Sequence, residues 1–270
     1  MKYILTIFNL CLLAVSTMAA DGTKPAPVFK AGFAEQDITP DIGMESPGNY
    51  GKAYHKTFHD PCKVRAVVFD DGQKRVALVG LDLLFVTRHL VQEVRAEIQK
   101  RCGIQPADVM IGASHSHSSG PIGMGEPGDF DKASPMVKEL VNNNSIVSDP
   151  GYTQVLKKQI VDAVVLANEN RVDAKLAVGN GHEDKVSYNR RLRMKNGLSY
   201  SHPGAGNPDI VDYAGPIDPQ VGTVGVWDLK GNLLGTVVNF ACHATTSPGG
   251  ISSSWIGSME RTIRGATGNA

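Results

Sequence analysis

The stretch that most restricts how this chain can fold runs from Lys63 to Ser114. Two β-rich runs, one amphipathic helical pattern and a third β-rich run follow one another there without interruption. In KVRAVVFDDGQKRVALVGLDLLFV the first two runs are joined by Asp70-Asp71-Gly72, a hairpin signal, and the second is apolar almost throughout, as a central strand is. Thr87 then stands where a helix N-cap belongs. Leu90, Val91, Val94 and Ile98 recur at helical spacing, and Gly103 lies just past the end. ADVMIGAS follows as another strand. A strand reached through a crossover helix places its C-terminal end where open α/β sheets hold ligands. Here that end opens into SHSHSSGP, which carries His115 and His117.

The rest of the chain extends the same order. FKAGFAEQDITP predicts a first strand ending at Pro40, and the glycine-bearing segment from Asp41 to Pro61 predicts a long loop. From Gly123 to Pro150 the composition turns to Gly, Asp, Ser and Asn, which predicts a long loop with room for one short helical turn. Tyr152, Val155, Leu156, Ile160, Val164 and Val165 mark a second amphipathic helix, and KLAVGNGH a further strand. A basic cluster, Arg190, Arg191, Arg193 and Lys195, leads into a loop rich in Gly, Pro and Asp. VGTVGVWDLKGNLLGTVVNFACHATTSPGG then reads as strand, turn at Lys230-Gly231-Asn232, and an apolar strand that delivers His243 into another polar loop. ERTIRGATGNA has the character of helix and loop. The predicted class is α/β, with mixed β-sheets and flanking helices.

Charge narrows the partners. The 27 Lys and Arg balance the 27 Asp and Glu, so no whole-chain field draws the protein to nucleic acid or an anionic membrane surface. The basic cluster lacks the aromatic interleaving of a nucleic-acid site. The N-terminus is different. MKYILTIFNLCLLAVSTMAA carries Lys2, an apolar stretch from Ile4 to Val15 and small residues at Ala19 and Ala20, the pattern of a secretory signal. The expected organisation is a signal over residues 1–20, a domain over 21–270, and a secreted or periplasmic location. The apolar stretch is too short to span a bilayer and no longer one follows, so no transmembrane segment is expected. Of the remaining cysteines, Cys62, Cys102 and Cys242, at most one pair can form a disulfide, and buried free thiols are the expectation.

Histidine placement carries the chemistry. In a strand, His115 and His117 would point the same way, and His243 arrives at a similar strand end. Neutral imidazole is the commonest ligand of catalytic zinc, so three such residues point to a metal site. Asp82, at the end of a central strand, is a candidate to hydrogen-bond a ligand histidine. His55 and His59 are expected to face solvent in a polar loop, and His89 to lie on a helix surface. His182 and His202 flank the basic cluster and can line a cleft. Ser116, Ser118 and Ser119 are expected to serve hydrogen bonding within the histidine loop.

GASHSHSSGP resembles the histidine motif of the neutral ceramidase family, whose usual form is a threonine or serine followed by His-Thr-His-Ser-Gly-Pro. AGFAEQDITP is similar to that family's opening strand, SYNRR to its Asn-Arg segment, GPIDPQVGTVGVWD to its mid-domain strand, and VVNFACHATT to its second metal-histidine strand. The matches fall in family order over about residues 30 to 260. The resemblance implies a zinc-dependent hydrolase in which a serine attacks a metal-polarised amide carbonyl of a lipid such as ceramide. It implies that His115 and His243 ligate zinc, that His117 lies beside the reacting carbonyl as a proton donor or acceptor, and that Arg190 stabilises the oxyanion. The family's Gly-Asp-x-Ser nucleophile segment and its later Glu and Tyr ligands have no counterpart in this chain. Ser254 stands where many members have aspartate before an aromatic residue, here Trp255. The expectation is therefore the N-terminal portion of such a catalytic domain, the alternative being a catalytically incomplete metal- or ligand-binding domain.

Overall fold

The first four apolar runs become a sheet backed by helices. The computed structural model describes residues 28–49, 51–123, 125, 128–245 and 249–268, and the expected signal segment lies outside them. Strands β1 (Lys30–Asp37), β2 (Lys63–Asp70) and β3 (Arg75–Leu81) pair antiparallel in sequence order. Helix α1 (Arg88–Cys102) crosses over to β4 (Val109–Ala113), which pairs parallel with β3. Thr87 caps α1 by accepting a hydrogen bond from the Leu90 N–H at 3.2 Å, and Gly103 closes it in the left-handed region. β3 thus has a partner on each side, although it lies next to the sheet edge rather than at its middle.

Helices α2 (Pro135–Asn144) and α3 (Pro150–Glu169) follow. α2 is a full ten-residue helix where one short turn was expected. It buries none of its residues, so the apolar periodicity that betrays most helices is weak there; the Ser134 cap followed by Pro135 was its legible signal. α3 packs on β1 and β2 beside α1. Its buried stripe of Leu156, Ile160, Val161 and Val164 meets Val64, Ala66 and Val68 of β2 in the main core. Each such side chain contributes roughly 1.5–3 kcal/mol by leaving water.

Alternation sends Lys63 and Arg65 to the opposite face of β2. There they meet Glu260 of the last helix, α4 (Trp255–Thr267), with Lys63 Nζ at 2.8 Å from its carboxylate. Asp82 belongs to this network. It accepts from Arg65 Nη1 at 2.8 Å and from the Lys63 N–H at 2.9 Å, and it is not a partner of any histidine. A strand-end carboxylate needs a donor, and the nearest one is the guanidinium of the neighbouring strand.

Strand β5 (Val172–His182) joins β1 through two residue pairs only, Lys30 with Asp173 and Ala31 with Val172. It continues into a ladder with β9 (Gln220–Asp228), which pairs with β10 (Leu233–Phe240). The seven-stranded order is β10-β9-β5-β1-β2-β3-β4. Because the β1–β5 junction is so short, the sheet folds back there. Gly235 of β10 lies against the Phe33 ring of β1, and a small second core of Ala31, Ala174 and Val226 fills the fold. Between β5 and β9 a separate three-stranded sheet forms from β6 (Arg191–Met194), β7 (Ser199–Ser201) and β8 (Ile210–Tyr213), where a basic cluster followed by a loop is the sequence expectation. These strands have three or four residues and are mostly exposed, too short for a period-two signal.

All three described cysteines, Cys62, Cys102 and Cys242, are free thiols. Among the described residues, no helix is long and apolar enough to cross a membrane.

Candidate metal centre

His115 and His117 do not alternate along a strand. Both lie beyond Ala113, in the loop that β4 feeds, and His115 has φ +66°, a left-handed conformation that is uncommon outside glycine. This kink, rather than strand alternation, brings the two rings together. His243 comes from the loop after β10. The three ring centroids form a nearly equilateral triangle with sides of 4.9, 4.9 and 5.0 Å. One ligand atom from each lies within 4.8 Å of the others.

Tautomers follow from the backbone partners. His115 Nδ1 lies 2.6 Å from the Leu84 carbonyl oxygen and His117 Nδ1 lies 2.9 Å from that of Gly48. A carbonyl only accepts, so both Nδ1 atoms carry the proton and both Nε2 atoms present a lone pair. Such an outer partner is the usual arrangement for a metal-binding histidine. His117 Nε2 and His243 Nε2 are 3.1 Å apart. His117 thus stands in contact with His243 and beside His115, and the neutral imidazole nitrogens of the cluster suit a borderline-soft divalent cation.

Electrostatics favour the neutral ring. Burial pushes the His117 pKa below the ordinary histidine value; the Gly48 carbonyl opposes this, and the charges of His115 and Arg190 add to the lowering. Burial also lowers His243, helped by His117, His115, Arg190 and His202. A neutral imidazole is the form that donates a lone pair to a metal.

Arg190 lies just before β6, and with His202 it lines a cleft of about 600 Å³ whose other walls include Tyr188, Leu192, Ile210 and Tyr213. His202 is a second histidine with positive φ, at +58°. His182 is exposed beside Asp184, and His89 is exposed beside Glu93. Arg193 and Lys195 pair with Asp212 and Asp209 on the surface.

Two supports escaped sequence reasoning. Gly48 has φ +81°, and a Cβ there would collide with the His117 ring, so only glycine lets this loop reach Nδ1. In a loop with several glycines nothing marked this one. His55 is buried rather than solvent-facing, because its Nε2 lies 2.8 Å from the Ser119 carbonyl oxygen and braces the histidine loop; burial lowers its pKa. His59 remains partly exposed. Ser116 and Ser119 are buried, and each donates its hydroxyl to a backbone carbonyl, Ser252 O and Ser116 O respectively.

Fold and site together define a mixed α/β protein with a three-histidine centre able to hold a metal ion. No family model matches the chain. It is similar to the neutral ceramidase of Pseudomonas aeruginosa, at 27% identity over 246 residues, a match that covers 89% of this chain and 33% of that protein. The solved neutral ceramidase structure from Pseudomonas aeruginosa superposes on 80% of the chain with a TM-score of 0.56 at 20% identity. A ceramidase complexed with C2 gives a TM-score of 0.54 at 25% identity, also over 80% of the chain. The chain spans about a third of the length of each.

Proposed function

We propose that this chain carries the metal-binding part of a secreted, zinc-dependent amidohydrolase of neutral ceramidase type, which cleaves the amide of an N-acyl lipid such as ceramide into fatty acid and sphingoid base. The observation that carries the reading is the triangle of imidazoles at the ends of β4 and β10, within a fold shared with ceramidases. His115 and His243 are the proposed zinc ligands. A bound zinc ion would supply Lewis-acid polarisation of the amide carbonyl. His117, held neutral by burial and oriented by Gly48, is the proposed proton donor and acceptor at the reacting group. Arg190 is the proposed stabiliser of negative charge developing on the carbonyl oxygen. Export through residues 1–20 and a mature domain over 21–270 belong to the same proposal.

Ser116 and Ser119, the buried serines of the motif, are committed to backbone hydrogen bonds, which favours a nucleophile outside it. That commitment is also what supports the second reading, a domain that binds metal without turning over substrate. Elemental analysis and a fatty-acid release assay on ceramide decide between them. About one zinc per chain is expected. His115→Ala and His243→Ala should each weaken zinc by more than about 100-fold, beyond what loss of an outer partner costs. His117→Ala should retain zinc and lose roughly 10²–10⁴-fold in turnover. Zinc without fatty-acid release in the full-length protein selects the second reading, and zinc content unchanged in both ligand variants sinks the site.

A further inference from the structure

Asp60 is a buried carboxylate that no step above uses. Its Oδ1 accepts three hydrogen bonds, from Ser253 N–H at 2.7 Å, Ser253 Oγ at 2.8 Å and Ser252 Oγ at 3.1 Å. Its Oδ2 faces His59 Nε2 at 3.5 Å and Arg261 Nη1 at 3.6 Å. Ser252 Oγ in turn accepts from the Ser254 N–H at 2.9 Å. Ser254 has φ +61° and ψ −142°, a region that non-glycine residues enter only when their surroundings hold them there. The carboxylate therefore stabilises a strained turn at the start of α4.

What that turn touches gives it a role. On one side the Ser252 N–H donates to Ser118 O at 3.0 Å, and Ser252 O accepts from Ser116 Oγ at 2.8 Å. These bonds grip the loop on both flanks of His117. On the other side Trp255 Nε1 donates to Cys242 O at 3.3 Å, the peptide that leads into His243, while the Trp255 ring meets Phe240 edge to face. One segment, Ser252 to Trp255, is thus bonded to both histidine loops, and one carboxylate pins that segment from beneath. The backbone closes the arrangement, since the His59 and Asp60 N–H groups both donate to Ile251 O.

We propose that Asp60 is a positioning residue for the histidine cluster: through the 252–255 segment it sets the separation of the loop bearing His115 and His117 from the loop bearing His243. The metal-related part of this inference rests on the reading of the cluster as a metal site. The part concerning loop order does not.

The test compares the unaltered 270-residue chain with Asp60→Asn, which keeps the shape and removes the charge, and with Ser252→Ala, which removes the hydroxyl relay. Hydrogen exchange is followed in peptides covering 114–119 and 241–245, and cobalt(II) is titrated as the metal probe while its visible absorption is recorded. Asp60→Asn should speed exchange in both peptides while β2 and β3 stay protected. It should also weaken cobalt, by no more than the roughly 10–100-fold that loss of a direct outer partner costs, and alter the spectrum of the bound ion. Ser252→Ala should do the same to a smaller degree. Val164→Ala in α3, chosen to lower thermal stability without touching the segment, should leave both readouts unchanged. Unchanged exchange in both peptides overturns the proposal whether or not cobalt binds. Faster exchange in a protein that takes up no cobalt even unaltered upholds Asp60 as the pin and removes the metal reading.

Discussion

The two halves of the long sheet are held by different forces. β1 to β4, with α1 and α3, enclose a continuous core in which Val64, Val68, Ile98, Leu156 and Ile160 are almost wholly inaccessible to water. β5, β9 and β10 share with β1 a small core of three buried residues, Ala31, Ala174 and Val226, and along β5 the face that carries Ala174 leaves Leu176 and Val178 exposed. The first half is fixed by burial and the second by strand ladders and loop hydrogen bonds. The histidine centre sits across the seam, with His115 and His117 from the first half and His243 from the second. Its geometry therefore depends on bonded loops, and a change in the main core should alter stability more than it alters the site.

The largest test of this contrast is a pair of truncations. Leu156→Ala in α3 should cost about 2–5 kcal/mol in denaturant unfolding, from lost burial and the cavity left behind. Val226→Ala in β9 should cost about 1–2 kcal/mol, since fewer methyl groups leave a smaller core. Equal costs would erase the distinction between the halves.

Acid tests the face that joins α4 to the first half. Burial raises the Glu260 pKa, but hydrogen bonds from Lys63 and Arg65 and their charges bring it down to about 2. A carboxylate whose folded pKa is depressed adds stability that is fully present above its unfolded value. That stability is lost as pH falls from about 4.5 towards 2. Glu260→Gln should remove about 1–2 kcal/mol of pH-dependent stability from this window, allowing for partial solvent screening. An unfolding curve with the same pH slope in both proteins would show that the network contributes nothing.

The smallest effect belongs to the exposed far end of the β5 face that carries Ala174. Val178 is 72% exposed, and Val178→Thr keeps the β-branch, so stability should change by less than about 0.5 kcal/mol. A larger loss would mean that this face is covered in solution and that the second half has a core of its own.

Elements that bury a periodic stripe were legible before any coordinates. Thr87 and Gly103 marked both ends of α1, and Leu156 and Ile160 marked α3, because burial repeats with the helix period. α2 and the strands β6, β7 and β8 were missed for the converse reason: they bury little, and no apolar repeat records them. The site was legible as residue types at strand ends. Its supports, Gly48, His55 and Asp60, were not, since a glycine, a histidine and an aspartate in one polar loop look alike until their partners are known.

Local chemistry in the sequence by itself determined the strands of the long sheet, the two main helices, the hairpin turns and the three histidines at the ends of apolar runs. Only the tertiary structure decided that these histidines meet. In a flat sheet of this order, β4 and β10 would stand at opposite edges, roughly 29 Å apart at about 4.8 Å per strand. The two-pair junction between β1 and β5 folds the sheet back, and the left-handed turn at His115 and the 252–255 segment close the remaining gap. Those are long-range contacts, made between residues that no local period connects.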